Sequence, residues 1–139
     1  MESATAPVHP FRAAVEAGDL DAALALLAPD VVFHSPVTFK PYEGLENVGA
    51  LIGAVFETFE DFRYTDEFTT DDGADGPVHA LLFSARVGEK RIEGLDVLRI
   101  GSDGLVVDFT VMVRPLSAAI ALAEAMGPKL AERGVEPAR

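Results

Sequence analysis

The chain has 139 residues, no cysteine and a formal net charge of −12. Without cysteine there is no disulfide, no thiolate catalysis and no cysteine-ligated zinc or iron–sulfur centre. The acidic balance, with Lys and Arg scattered along the chain, argues against nucleic acid or an anionic membrane as partner.

Hydrophobic residues make up 49% of the sequence, enough for the core of one domain, and no apolar run reaches the roughly 18 residues of a membrane span. Met1 to Pro10 combine neither a basic start nor an apolar stretch, so no export signal is read and the cytoplasm is the expected compartment. Residues 1–7 are expected to form a disordered lead-in, and residues 8–133 one domain.

A first helix is predicted over residues 9–17, with Phe11, Ala14 and Val15 on one face and Gly18 as its stop. His9 is expected at the surface. Asp19 reads as the N-cap of a second helix. Leu20, Ala23, Leu24 and Leu27 form its buried stripe, and Pro29 ends it. Residues 31–35 are β-prone and cut off by Pro36. Residues 38–44 carry Pro41 and Gly44 and read as a loop. The pattern is helical again over residues 45–61, where Leu51, Ile52, Val55, Phe56 and Phe59 share a stripe with Val48.

The period then changes. Phe62, Tyr64, Asp66 and Phe68 alternate with Arg63, Thr65, Glu67 and Thr69, which is strand spacing. Residues 71–77 read as a turn. Strands are predicted over residues 78–87, 91–100 and 105–113, joined by Gly88-Glu89 and by the hairpin loop Gly101-Ser102-Asp103-Gly104. Strands this closely spaced pair antiparallel, because parallel neighbours need a long crossover. Pro115 opens a C-terminal helix to about residue 131, followed by a frayed tail from Gly134. Helices segregated from an antiparallel sheet make an α+β fold. Its curved sheet forms a cone around the helices, with an apolar interior where a ligand would sit.

Three stretches carry a family resemblance. Phe11-Arg12-Ala13-Ala14-Val15-Glu16-Ala17-Gly18-Asp19-Leu20-Asp21 resembles a "helix, Gly-Asp, helix" opening. Asp30-Val31-Val32-Phe33-His34-Ser35-Pro36 resembles a first strand ending in an aromatic-His-x-Pro pattern, and Tyr42-Glu43-Gly44 precedes a helix. In this order they resemble the SnoaL-like members of the nuclear transport factor 2-like superfamily, over roughly residues 8–114. The resemblance implies the cystatin-like α+β barrel. Function varies widely on that fold.

Ketosteroid isomerase, a member of the superfamily, works with a carboxylate base and an oxyanion hole of a tyrosine and a protonated aspartic acid. The resemblance puts that tyrosine at Phe11, the base at Ser35 and the acid at Asp96. Phe11 has no hydroxyl and Ser35 alone is no base for a carbon acid, so the ketosteroid reaction is not expected.

Asp96 is the leading catalytic candidate. It alternates with Gly94, Leu98 and Ile100, which turns it inward among apolar neighbours, where a carboxyl pKa rises and the group can act as acid or donor. A structural Asp tied to a hydroxyl fits the same position. His34 stands where SnoaL-like members often carry histidine and titrates near neutrality, although strict alternation puts it opposite Phe33 and Ser35. His79 shares a face with Leu81 and Phe83, at the mouth of its strand. Asp108 and Arg114 fall on the outer face and suit an interface. An Asp96, Arg99, Asp108 hydrolytic set is disfavoured, because Asp96 and Arg99 point to opposite faces.

The three histidines lie far apart, so no metal site is expected. No glycine-rich phosphate loop precedes a helix, and no cofactor is expected. The expected pocket wall comprises Phe11, Phe33, Ser35, Phe83, Leu98, Phe109 and Val111.

Two functions compete. One is a cofactor-free cyclase, isomerase or hydrolase acting on a small hydrophobic molecule through Asp96 and His34. The other is a non-catalytic ligand-binding or dimerisation domain. A homodimer is expected on the outer sheet face, where Leu82, Leu95, Val97, Val106 and Met112 need cover, unless the C-terminal helix covers that face within one chain.

Overall fold

The structure is a computed structural model that describes residues 9–70 and 76–137. The expected lead-in at residues 1–7 lies outside them, as does most of the expected turn at 71–77.

Helix α1 (Pro10–Glu16) opens with proline at its first position, where the missing N–H costs nothing. Its cap is His9, whose Nδ1 accepts from the Phe11 N–H at 3.1 Å while its Nε2 lies 3.1 Å from the Gly104 carbonyl. His9 is therefore buried, contrary to the surface position expected for it. Gly18 leaves α1 with φ +69. Asp19 Oδ1 then caps α2 (Leu20–Leu24) by accepting from the Ala22 N–H at 3.1 Å.

Helix α2 stops well short of Pro29, and β1 (Leu27–His34) runs through that residue. The proline is tolerated because the pairing of β1 shifts register between Leu27 and Val32, which removes the ladder bond it could not donate. Within the expected loop lies a short strand, β2 (Tyr42–Glu43), placing Tyr42 opposite Phe33. Gly44, with φ +90, turns the chain into α3 (Leu45–Thr58).

The remaining strands are β3 (Glu60–Thr69), β4 (Val78–Val87), β5 (Lys90–Ile100) and β6 (Val106–Arg114). Helix α4 (Leu116–Glu132) follows, with Pro115 as its cap rather than its first residue. Among the described residues the strands form one curved, unclosed sheet in the order β2-β1-β6-β5-β4-β3. Every pair is antiparallel except β1 with β6, which runs parallel. The long crossover through α3 and four strands permits that pairing.

Two irregularities overrule strict alternation. Register shifts between Tyr64 and Asp66, so Tyr64 points inward, Glu67 becomes the next sheltered residue and Phe68 is 58% exposed. A second shift, between Arg99 and Ile100, sinks Val106 into the core, although alternation puts it on the outer face. One glycine is sterically required. A Cβ on Gly94 would lie 2.2 Å from Phe83 Cζ, so its absence lets the Phe83 ring cross the sheet.

Helices α3 and α4 pack against each other, and α4 lies against β4, β5 and β6. Ala118, Leu122 and Met126 recur every four residues and are buried, so one stripe of α4 faces the sheet. That stripe joins the inward residues of the sheet, so α4 covers the concave face and leaves Leu82 and Met112 exposed on the other. The tail is tied down at its start. Gly134 takes φ +66, the Val135 N–H donates to Leu130 at 2.9 Å, and Val135 is buried. Among the described residues no helix is long and apolar enough to cross a membrane.

Candidate functional site

The concave face and the helices enclose a cavity of about 250 Å³. Helix α1 supplies Phe11 and Val15, the first strand and following loop supply Phe33 and Ser35, and β6 supplies Val111. The helical wall comes from Ile52, Val55 and Phe56 of α3 and Leu122, Met126 and Leu130 of α4. Aromatic rings dominate the rest, with Tyr42, Phe59 and Phe62 completing the lining beside Tyr64.

Asp96 is the one carboxyl group among the described lining residues, which include no Lys, Arg or His. It is 6% exposed. The Tyr64 hydroxyl donates to its Oδ2 at 2.8 Å. Oδ1 has no hydrogen-bond partner among the described residues, yet it is not a sealed, unsatisfied atom, so it is open to the cavity. Burial drives the Asp96 pKa from 3.8 up to about 7, and the Tyr64 bond acts in the lowering direction. Tyr64 is raised well above 10, by its own burial first and then by the charge of Asp96, so it stays a phenol and a donor.

A polar cluster backs this pair. The Arg12 guanidinium lies 5.9 Å from the centre of the Tyr64 ring. It is held by Glu67 and Glu16, both at 3.1 Å. Glu67 also pairs with His79 Nδ1 at 3.2 Å, and the His79 ring lies 5.5 Å from that of His9. His79 is therefore satisfied behind the wall and does not line the cavity.

Of the residues expected at the pocket, Phe11, Phe33, Ser35, Val111 and Asp96 line it. Ser35 accepts a local bond from the Val37 N–H at 3.1 Å. Phe83, Leu98 and Phe109 are buried but lie behind the wall. The Phe83 ring stacks on Phe62 at 4.9 Å, and Phe109 fits between Phe11 and Phe33 at 5.4 and 5.1 Å. His34 is not at the cavity. Its Nε2 lies 3.1 Å from Asp108 Oδ2, both side chains more than a third exposed on the opposite face.

Sequence reasoning passed over Tyr64. The signal was its alternation with Phe62 on one face, but the resemblance directed the search for a hydroxyl to Phe11. Among the described residues no group of three His, Asp or Glu side chains is placed to hold a metal ion.

The sequence profile of the SnoaL-like domain matches residues 8–109. The chain belongs to the SnoaL-like family. Similar solved structures extend the likeness of this SnoaL-like chain. A crystal structure of a steroid delta-isomerase from Pseudomonas aeruginosa is 41% identical, with a TM-score of 0.81 over 91% of this chain and 90% of that one. A conserved bacterial protein with a cystatin-like fold from Silicibacter pomeroyi is 33% identical, with a TM-score of 0.79 over 88% of this chain and 86% of that one. A nuclear transport factor 2-like protein from Cytophaga hutchinsonii, at 18% identity and a TM-score of 0.55 over 76% of this chain and 84% of its own, shares the fold. No curated protein matches the sequence.

Proposed function

We propose that this SnoaL-like chain binds a small, mainly apolar molecule in the aromatic cavity, with the carbon next to the molecule's carbonyl against Asp96, and that Asp96 is the acid/base group of a cofactor-free isomerisation. The observation that carries this is a buried carboxyl with one oxygen held by Tyr64 and the other open to the cavity, which burial pushes up to about 7. A group poised near neutrality both takes and gives a proton. As carboxylate, Asp96 removes a proton from a carbon next to the ligand's carbonyl. The electron pair moves into the dienolate, and the acid so formed returns that proton to the far carbon of the double bond. Phe11, Phe33, Ser35 and Val111 hold the ligand's apolar body, and His34 has no part.

The likeness to the Pseudomonas aeruginosa steroid delta-isomerase supports isomerisation. Phe11 and Ser35 separate this site from the ketosteroid arrangement, leaving a single carboxyl to do both jobs. The test is conversion of two β,γ-unsaturated ketones, one monocyclic and one steroidal, followed by the absorbance of the conjugated product. We expect turnover of at least one, reduced about 10²- to 10⁴-fold by Asp96→Asn. A wild type that binds either ketone without converting it overturns the catalytic reading. The lack of a second carboxyl group or of a histidine among the described wall residues favours the alternative, ligand binding without turnover, and that outcome would establish it.

We also infer that two copies associate through the outer sheet face. Helix α4 leaves that face uncovered, with Met112 57% and Leu82 36% exposed beside half-buried Leu95 and Val97.

A further inference from the structure

We propose that Tyr64 is a positioning residue that fixes which Asp96 oxygen reacts: by donating to Oδ2 it keeps the exchangeable proton on Oδ1, the oxygen open to the cavity. The proposal rests on the acid/base reading of Asp96, but its geometry stands independently. A neutral carboxyl group has two places for its proton, and only one of them faces a ligand. Tyr64 occupies the other at 2.8 Å. Its ring meets Phe62 edge to face at 5.0 Å and carries the Arg12 guanidinium over it, so the hydroxyl is aimed before any ligand arrives. The arrangement is in series, hydroxyl to carboxyl to ligand. The reacting end of the ligand therefore meets Oδ1 alone.

Among the described residues no other side chain donates to Asp96. Opposite Asp96, β4 presents Leu81 and β6 presents Val111. The lining residues of α3 and α4 are apolar, and α1 contributes Phe11 and Val15 to the wall. The nearby charges are Arg12, over the Tyr64 ring, and its partners Glu16 and Glu67. A donor stabilises the carboxylate more than the acid, so Tyr64 also brings the carboxyl of this dry site within reach of neutral pH.

A hydrogen position is what distinguishes this from its mirror image, in which Asp96 carries its proton on Oδ2 and donates it to the tyrosine. The two differ in sign. Removing a donor to the carboxylate raises the carboxyl midpoint, whereas removing an acceptor from the acid lowers it. The experiment is a titration of Asp96 by ¹³C-carboxyl NMR of aspartate-labelled full-length chain, with Asp96→Asn to assign the resonance. We expect Tyr64→Phe to raise the midpoint by about one to two pH units. Fluorotyrosine, a stronger donor, should lower it, and its global incorporation is practicable because the chain has two tyrosines. A midpoint that is unchanged or lowered in Tyr64→Phe overturns the proposal. So does fluorotyrosine that leaves it unmoved, a variant that keeps the ring and hydroxyl and so bypasses any folding defect of Tyr64→Phe. None of these readouts needs turnover, so a chain that titrates as expected yet converts no ketone disproves the catalytic reading and leaves this one standing.

Discussion

Burial lifts the Asp96 carboxyl from 3.8 to about 7, so between those values the folded chain keeps a proton that the unfolded chain has released. The contribution to stability is full below about pH 4, is lost as pH rises towards 7, and stays lost above it. Asp96→Asn has no such dependence. Urea unfolding of both proteins at pH 5 and pH 8 should show the variant gaining on the wild type by about 3 kcal/mol at the higher pH. A constant gap would mean that the carboxyl is solvated. The inward direction of Asp96 was legible because Leu98 and Ile100 flank it at strand spacing. For Phe83, Leu98 and Phe109 the same alternation reports a face but cannot report depth. Phe83 is drawn away from the cavity by the space over Gly94, a contact between strands that no local pattern encodes.

Helices α1 and α3 and the long strands follow closely from periodicity, because each buries one stripe or one face over several turns or pleats. What escaped were features created by partners. The cap of α1 is one. His9 lies nearly a hundred residues from Gly104, and only the folded chain joins them. In that geometry Nε2–H donates to Gly104 and Nδ1 must stay unprotonated to accept from Phe11. Burial, the largest influence, lowers the His9 pKa below 6.5. Its contribution is therefore present above 6.5 and lost as pH falls through the lowered folded value. His9→Ala should cost about 1 kcal/mol at pH 7.5, while His9→Asn, which can still cap, should cost less and show no loss attributable to this site on acidification. Thermal unfolding of the three proteins at pH 7.5 and pH 5 checks this. Equal melting of wild type and His9→Ala at pH 7.5 would remove the cap from the account.

At the scale of the molecule, the separation of helices from sheet was readable because the helical period gives way to strand alternation near residue 60 and returns after Pro115. The face to which α4 would pack was not, since its apolar stripe fits either side of the sheet. With α4 on the concave side, the outer face stays open to the proposed second copy, and two-fold pairing is the commonest way to cover such a face. Sedimentation equilibrium should give a dimer for the wild type and a monomer for Met112→Asp; a monomeric wild type at micromolar concentration would refute the pairing. The unclosed sheet also bears on how association can go wrong. Among the described residues its two edges are β2 and β3. The β2 edge is two residues long. The β3 edge is kinked by two register shifts and carries Glu60, Asp61, Arg63 and Asp66, all exposed. Short length, kinks and charge each deny a straight template to an incoming strand. Growth by strand addition, the route to fibrils, is thereby blocked at both ends of the sheet, and the bend that aims Tyr64 at the cavity doubles as a guard against it.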